Sequence, residues 1–286
     1  MKVLKGFFWV LLTCIGISML LAETNAKNNI IKVSEYVQEY TIPAYRGYNY
    51  VHILNDEERV VYEQALENLK IGKLTTKNFG LSSDSVYRVA SSVLADHPEF
   101  FWLKPTYNTN WRSFSFNTYN FWDYTTEPEK YTWNFSGSVN SYVAETLSYR
   151  TNDARIRYVH DKLVRSVQYN HTAANETLLL PIQYQYAGTA YGTLVNSSAV
   201  CAGYAKAFQI VLNRCGYECG YVTGDTAQGL HAWNEMYLDG IKYCFDVTWD
   251  DMGDYYTYPN DLVHTYYAIS PSQMANDHVA EAMYQN

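Results

Sequence analysis

A chain of 286 residues, 48% of them hydrophobic and 17% charged, can bury a sizeable core in one or two domains. Its formal net charge of -8, from 21 Lys and Arg against 29 Asp and Glu, argues against nucleic acid or an anionic membrane surface as a partner. The 29 tyrosines suit aromatic sheets or polar-aromatic surfaces and identify no ligand.

At the start of the chain Lys2 and Lys5 precede an apolar run over 6–22 broken only by Thr13 and Ser18. Ala26 offers a small residue for cleavage, with Ala22 as the alternative cut. Residues 1–26 therefore read as a signal peptide, too short in its apolar part for a stable spanning helix. The expectation is a secreted or cell-surface, extracytoplasmic protein with no stable membrane insertion once the signal is removed.

Residues 27–137 read as a preceding mixed helix/strand region. Val60, Val61, Ala65, Leu66 and Leu69 recur at helical spacing over 57–71, ahead of Gly72. A second helix is expected over 85–94, ended by the Asp96-His97-Pro98 turn. Between Trp102 and Phe135 aromatic residues partly alternate, a pattern that suits strands. Packing of a sheet against helices is the expected use of those rings, ahead of a platform for glycan or peptide. The chain turns helical again over 138–169 with no Gly-rich or Pro-rich linker, entering a second part at 138–286.

In that part, Tyr204, Phe208, Val211, Leu212 and Cys215 predict an amphipathic helix, with Lys206, Gln209, Asn213 and Arg214 on its other side. Ser197 and Ser198 are its expected caps and Gly216 its stop. Cys201 then falls in the first turn, where unpaired N–H groups and the helix dipole favour a thiolate and could hold an oxyanion. Ala202 and Gly203 are expected to leave room for a substrate backbone. Further on, Asp239-Gly240 predicts a two-residue hairpin turn. If Leu238 faces Ile241, Trp233 lies opposite Asp246. His231 and Asp246 are then diagonal neighbours on one face, with Cβ atoms roughly 7 to 8 Å apart. A thiol, an imidazole and a carboxylate so placed suit acyl transfer through a thioester.

These segments resemble the transglutaminase-like superfamily of papain-related cysteine enzymes. The runs AVCAGYAKAF, HAWNEMYLDG and DVTW are similar to the family's nucleophile helix, histidine strand and aspartate segment; VHDKLVRSVQYN resembles the helix that opens its domain, and AYGTLVNSSAVC its approach to the nucleophile. The resemblance implies an α+β papain-like/transglutaminase-like core with the nucleophile at a helix N-terminus packed on an antiparallel sheet. It places the nucleophile on Cys201, the base on His231 and the orienting carboxylate on Asp246. Trp233 and Tyr191 are the expected substrate-binding residues, Trp233 shielding the thioester and Tyr191 offering its hydroxyl to the oxyanion. The implied activity is cysteine-dependent acyl transfer on protein or peptide amides, with peptidase or amidase hydrolysis preferred. Alternatives are protein-glutamine crosslinking and a non-catalytic binding or adhesion module.

No cofactor is expected. With Cys201 free, Cys215, Cys219 and Cys244 allow at most one disulfide, of open pairing. A metal site is disfavoured, because paired CxxC elements and an HExxH motif are absent. The TWDD segment at 248–251 is expected to be a structural strand end.

Overall fold

The structure is a computed structural model that describes residues 47–175, 184–251 and 262–285. The signal-peptide expectation and the first part of the preceding region lie outside these residues. Helices α1 (Tyr48–His52), α2 (Asp56–Lys70) and α3 (Ser83–Asp96) open the described chain. A capping box starts α2: the Asn55 side chain accepts from the Glu58 amide and Glu58 accepts from the Asn55 amide. A cap of this kind contributes about 1 kcal/mol. Val61, Ala65 and Leu69 face inward together with Tyr62, whereas Val60 is 63% exposed. The buried stripe of α2 is thus shifted from the one the five apolar positions predict.

Strands β1 (Thr75–Lys77), β2 (Leu103–Thr109) and β3 (Ser113–Thr118) form an antiparallel sheet in the order β1-β3-β2. The aromatic run is therefore only half strand. After β3 the chain enters α4 (Asn120–Asp123) and α5 (Pro128–Leu147), where Pro128 takes a first-turn position that needs no amide donor. Trp102, Phe114, Phe116, Phe121, Trp122 and Phe135 are buried, with Trp102 and Trp122 stacked at 4.9 Å, while Trp111 and Trp133 are exposed. Packing accounts for most of these rings. Helix α5 runs unbroken past position 137, and α6 (Asn152–Ser166) follows it.

Next come β4 (Gln168–Tyr169), α7 (His171–Asn175), α8 (Ala190–Leu194), β5 (Ser198–Ala199) and the central helix α9 (Cys201–Arg214). Strands β6 (Glu218–Thr226), β7 (Gly229–Leu238) and β8 (Ile241–Phe245) are joined, after α10 (Val247–Asp250) and α11 (Pro271–Met274), by β9 (His278–Ala280). They form an antiparallel sheet in the order β8-β7-β6-β9. The fold is α+β, with α9 packed on this sheet. One apolar cluster runs from Leu54 to Val247, so the residues before 138 share an interior with those after it.

The amphipathic reading of α9 needs correction. Gln209 and Asn213 are buried, because each meets a distant backbone group: Gln209 Nε2 donates to the Ala95 carbonyl and Asn213 Oδ1 accepts from the Cys219 amide, both at 2.9 Å. Buried polar groups are tolerated where their hydrogen bonds are made. Gly216 does stop the helix, at φ 92°, a conformation that disfavours other residues.

Candidate active site

Cys201 is the first residue of α9, half-buried, with Val200 at the cap position. The two serines do not cap it: Ser198 lies in β5, its hydroxyl accepting from Asn170 Nδ2, and Ser197 takes a left-handed turn at φ 52°. The start of the helix is held by its backbone instead, the Val200 amide donating to the Ala187 carbonyl and the Gly203 amide to the Val200 carbonyl. Gly203 makes room for the protein's own chain and not for substrate: a Cβ there would stand 2.4 Å from the Ala187 carbonyl oxygen. Asn234 on β7 donates to the carbonyls of Ala205 and Gly220, 2.9 Å each, tying α9 to the sheet.

The hairpin between β7 and β8 follows the predicted register, from Leu238 opposite Ile241 to Asn234 opposite Phe245. Asp239 and Gly240 both have positive φ, 52° and 79°, as a tight two-residue turn requires. Continued one step, that register sets Trp233 against Asp246 and puts His231 on the carboxylate's face. His231 Nε2 donates to Asp246 Oδ2 at 2.7 Å. The other ring nitrogen, Nδ1, is then the one left for Cys201, which is near enough to raise the His231 pKa. Burial alone would lower the His231 pKa, but the hydrogen bonds and charges of Asp246 and Cys201 outweigh it and raise it to about 10.

Asp246 is almost fully buried and uses both oxygens. Oδ1 accepts from the amides of Thr248 and Trp249, at 3.0 and 3.2 Å, so the carboxylate caps α10. The TWDD segment is accordingly a helical turn and not a strand end, because Asp246 satisfies its first amides. Oδ2 accepts a second imidazole besides His231: His278 Nε2 lies 3.1 Å away. Burial pushes the Asp246 carboxyl up, yet its bonds to the two histidines hold it below the usual aspartate range.

His278 sits on β9, which pairs with β6 where Gly224 faces Ala280. A Cβ on Gly224 would come within 2.2 Å of the Val279 carbonyl oxygen and 2.6 Å of the Trp233 ring. Gly224→Ala is therefore expected to lower stability by about 1–3 kcal/mol through overpacking, read as a lower urea midpoint. An unchanged midpoint would mean that β9 approaches β6 less closely than the structure shows.

Trp233 is buried on the His231 face, its ring 6.3 Å from His231 and 5.0 Å from His278. Trp249 closes another side, 5.4 Å from His231 and 4.4 Å from His278. Tyr191 is not gathered into this group. Its ring is enclosed by Phe101, Tyr131, Phe135 and Tyr186, so it packs in the core where an oxyanion role was expected. Sequence reasoning missed His278, Trp249 and Tyr266.

None of the four cysteines among the described residues is in a disulfide. Cys219 faces Met236 and Cys244 faces Glu235 across opposite sides of β7. Two strand spacings of about 4.8 Å exceed the Cα reach of a disulfide. Burial pushes the Cys215 thiol up to about 11 and the Cys244 thiol to about 12, so both are inert at neutral pH. A second histidine-carboxylate group, away from Asp246, joins His160, Asp161 and His264, whose ligand atoms lie within 4.8 Å of one another. Each contact there is a hydrogen bond: Asp161 Oδ1 meets His160 Nδ1 at 3.0 Å and His264 Nε2 at 2.7 Å, while His160 Nε2 meets the buried Asp250 at 3.1 Å. Hydrogen bonding therefore accounts for this arrangement without a metal ion, although the spacing is one that a divalent ion tolerates.

The α+β fold thus sets a thiol at a helix start near an imidazole on the sheet, with a carboxylate behind the imidazole. Residues 138–246 match the family model of the transglutaminase-like superfamily. Among solved structures, similarity is found to a TGase at 16% identity and TM-score 0.38, over 58% of this chain and 48% of that one. It is also found to a protein provisionally described as a cysteine protease from Cytophaga hutchinsonii, at 17% identity and TM-score 0.34, over 51% of this chain and 41% of that one. The chain thus spans less than half the length of either. No curated protein matches it.

Proposed function

We propose that the chain is an extracytoplasmic cysteine enzyme that hydrolyses amide bonds of proteins or peptides through a thioester. The observation that carries this reading is His231, which is bonded through Nε2 to Asp246 and whose proton affinity Asp246 and the nearby Cys201 together raise. The lysine-led apolar run at 6–22 supports export. Among the described residues no helix is long and apolar enough to cross a membrane.

In the reaction, Cys201 Sγ as thiolate adds to the amide carbonyl carbon, and the oxyanion meets the free amides at the start of α9. His231 gives its Nδ1 proton to the leaving nitrogen as the C–N bond breaks, leaving an acyl thioester on Cys201. Water then adds to the thioester carbonyl, His231 takes its proton, and the thiolate departs from the carboxylic acid product. Asp246 holds the imidazole in the tautomer this needs.

The test is a time course on labelled protein substrates with water alone and with added primary amine, beside Cys201→Ala. Carboxylic acid formed with wild type and not with the variant supports hydrolysis. Amine incorporated in preference to water would make the enzyme a crosslinker. Failure of both, with Cys201 no more reactive toward iodoacetamide than in a His231→Ala variant, would overturn the enzymatic reading in favour of a binding module.

A further inference from the structure

The buried carboxylate behind His231 serves two imidazoles. His278 Nε2 approaches Asp246 Oδ2, the oxygen that His231 also uses, and His278 Nδ1 lies 2.6 Å from Asp277 Oδ1. The Tyr266 hydroxyl in turn donates to Asp277 Oδ2 at 2.6 Å. His278 is only 3% exposed and is boxed in by Trp233, Trp249 and Tyr266. Its ring can turn away from Asp246 only by displacing those neighbours.

We propose that His278 is a positioning residue of the site: it divides the Asp246 carboxylate between two histidines and so sets how firmly His231 keeps its ring proton. The proposal rests on the acyl-transfer reading for its functional meaning, but the hydrogen bonding is measurable without substrate. An oxygen that accepts two donors gives less electron density to each, and a donor that stabilises the carboxylate weakens its hold on the other imidazole. A His231 bound by an undivided carboxylate would keep its proton to higher pH and return it less readily to a leaving amine. With His278 present, the imidazolium is held firmly enough to pair with the thiolate and loosely enough to act as an acid.

The other ionisable groups facing this network do not supply the same effect. Cys201 faces His231 from α9, and Tyr169 on β4 and Tyr266 lie near Asp246. Burial raises the pKa of both phenols, so they stay protonated through neutral pH. Asp277 faces the far side of His278, and Asp250 at the end of α10 is taken up by His160 and the Tyr266 amide.

The experiment follows the ring nitrogens of the full mature chain by NMR with 15N-histidine labelling, assigning His231 and His278 by substitution. In wild type both Nε2 atoms are expected to carry hydrogen-bonded protons. In His278→Phe, which keeps an aromatic ring without a donor, the pH at which His231 loses its proton should rise by about one unit. His278→Gln, which keeps a neutral donor, should raise it less. If His231 titrates identically in the folded variants, or if His278 Nε2 in wild type carries no proton, the proposal is overturned. The wild-type measurement decides the matter even if His278→Phe fails to fold. A chain that turns over no amide yet shows the shift would sink the hydrolytic reading alone.

Discussion

Replacing His231 by alanine is expected to slow acyl transfer by about 10²- to 10⁴-fold, the usual contribution of a placed general acid and base. On the proposed reading the alkylation rate of Cys201 near neutral pH should fall with it, since the thiol loses the neighbouring base. The same variant has a stability signature. In the folded chain the His231 pKa is raised to about 10 from an ordinary value near 6.5. Its contribution is therefore fully present below about pH 6.5 and is lost as pH rises through about 10. Urea midpoints at pH 7 and pH 10 should differ less in His231→Ala than in wild type. Equal slopes would show that the imidazole carries no extra proton affinity in the fold.

The part of the site that could be read from sequence was the part joined by local geometry. Asp239-Gly240 fixes the turn, the turn fixes the register of β7 on β8, and strand parity then puts His231 and Asp246 on one face. Cys201 was legible because Gly216 and the apolar spacing bound its helix. His278 was not, because it reaches Asp246 from a three-residue strand added to the sheet beyond β6. Nothing in so short a strand carries a period, and the pairing that brings it in spans 32 positions from Asp246. Gln209 and Asn213 misled for a related reason. Their polarity mimics a solvated face, whereas the Ala95 carbonyl and Cys219 amide that satisfy them come from elsewhere in the fold. Ser197 and Ser198 looked like caps until β5 claimed Ser198 by pairing it with Gln168.

Asp246 joins both kinds of information, and two substitutions there should separate its structural and chemical work. Asp246→Asn keeps an oxygen that can accept from the Thr248 and Trp249 amides, so α10 stays capped. Its amide nitrogen then faces the ring nitrogens of His231 and His278, donor against donor. His231 can relieve that clash by moving its proton to Nδ1, the nitrogen turned toward Cys201, where it can no longer accept the thiol proton. Acyl transfer should fall by on the order of 10⁴-fold, as for a wrong tautomer held in place, with a modest loss of stability. Asp246→Ala removes the cap, worth about 1 kcal/mol, and leaves two buried imidazoles without their acceptor. Both variants lose the buried charge, but only the alanine one also loses the cap and every polar partner of the two imidazoles, so it should unfold at lower urea than the asparagine one. The carboxylate's charge and its hydrogen bonds are separable only if the two variants differ in this way. Equal unfolding midpoints would mean that the α10 cap and the two imidazoles draw nothing from the oxygens of Asp246.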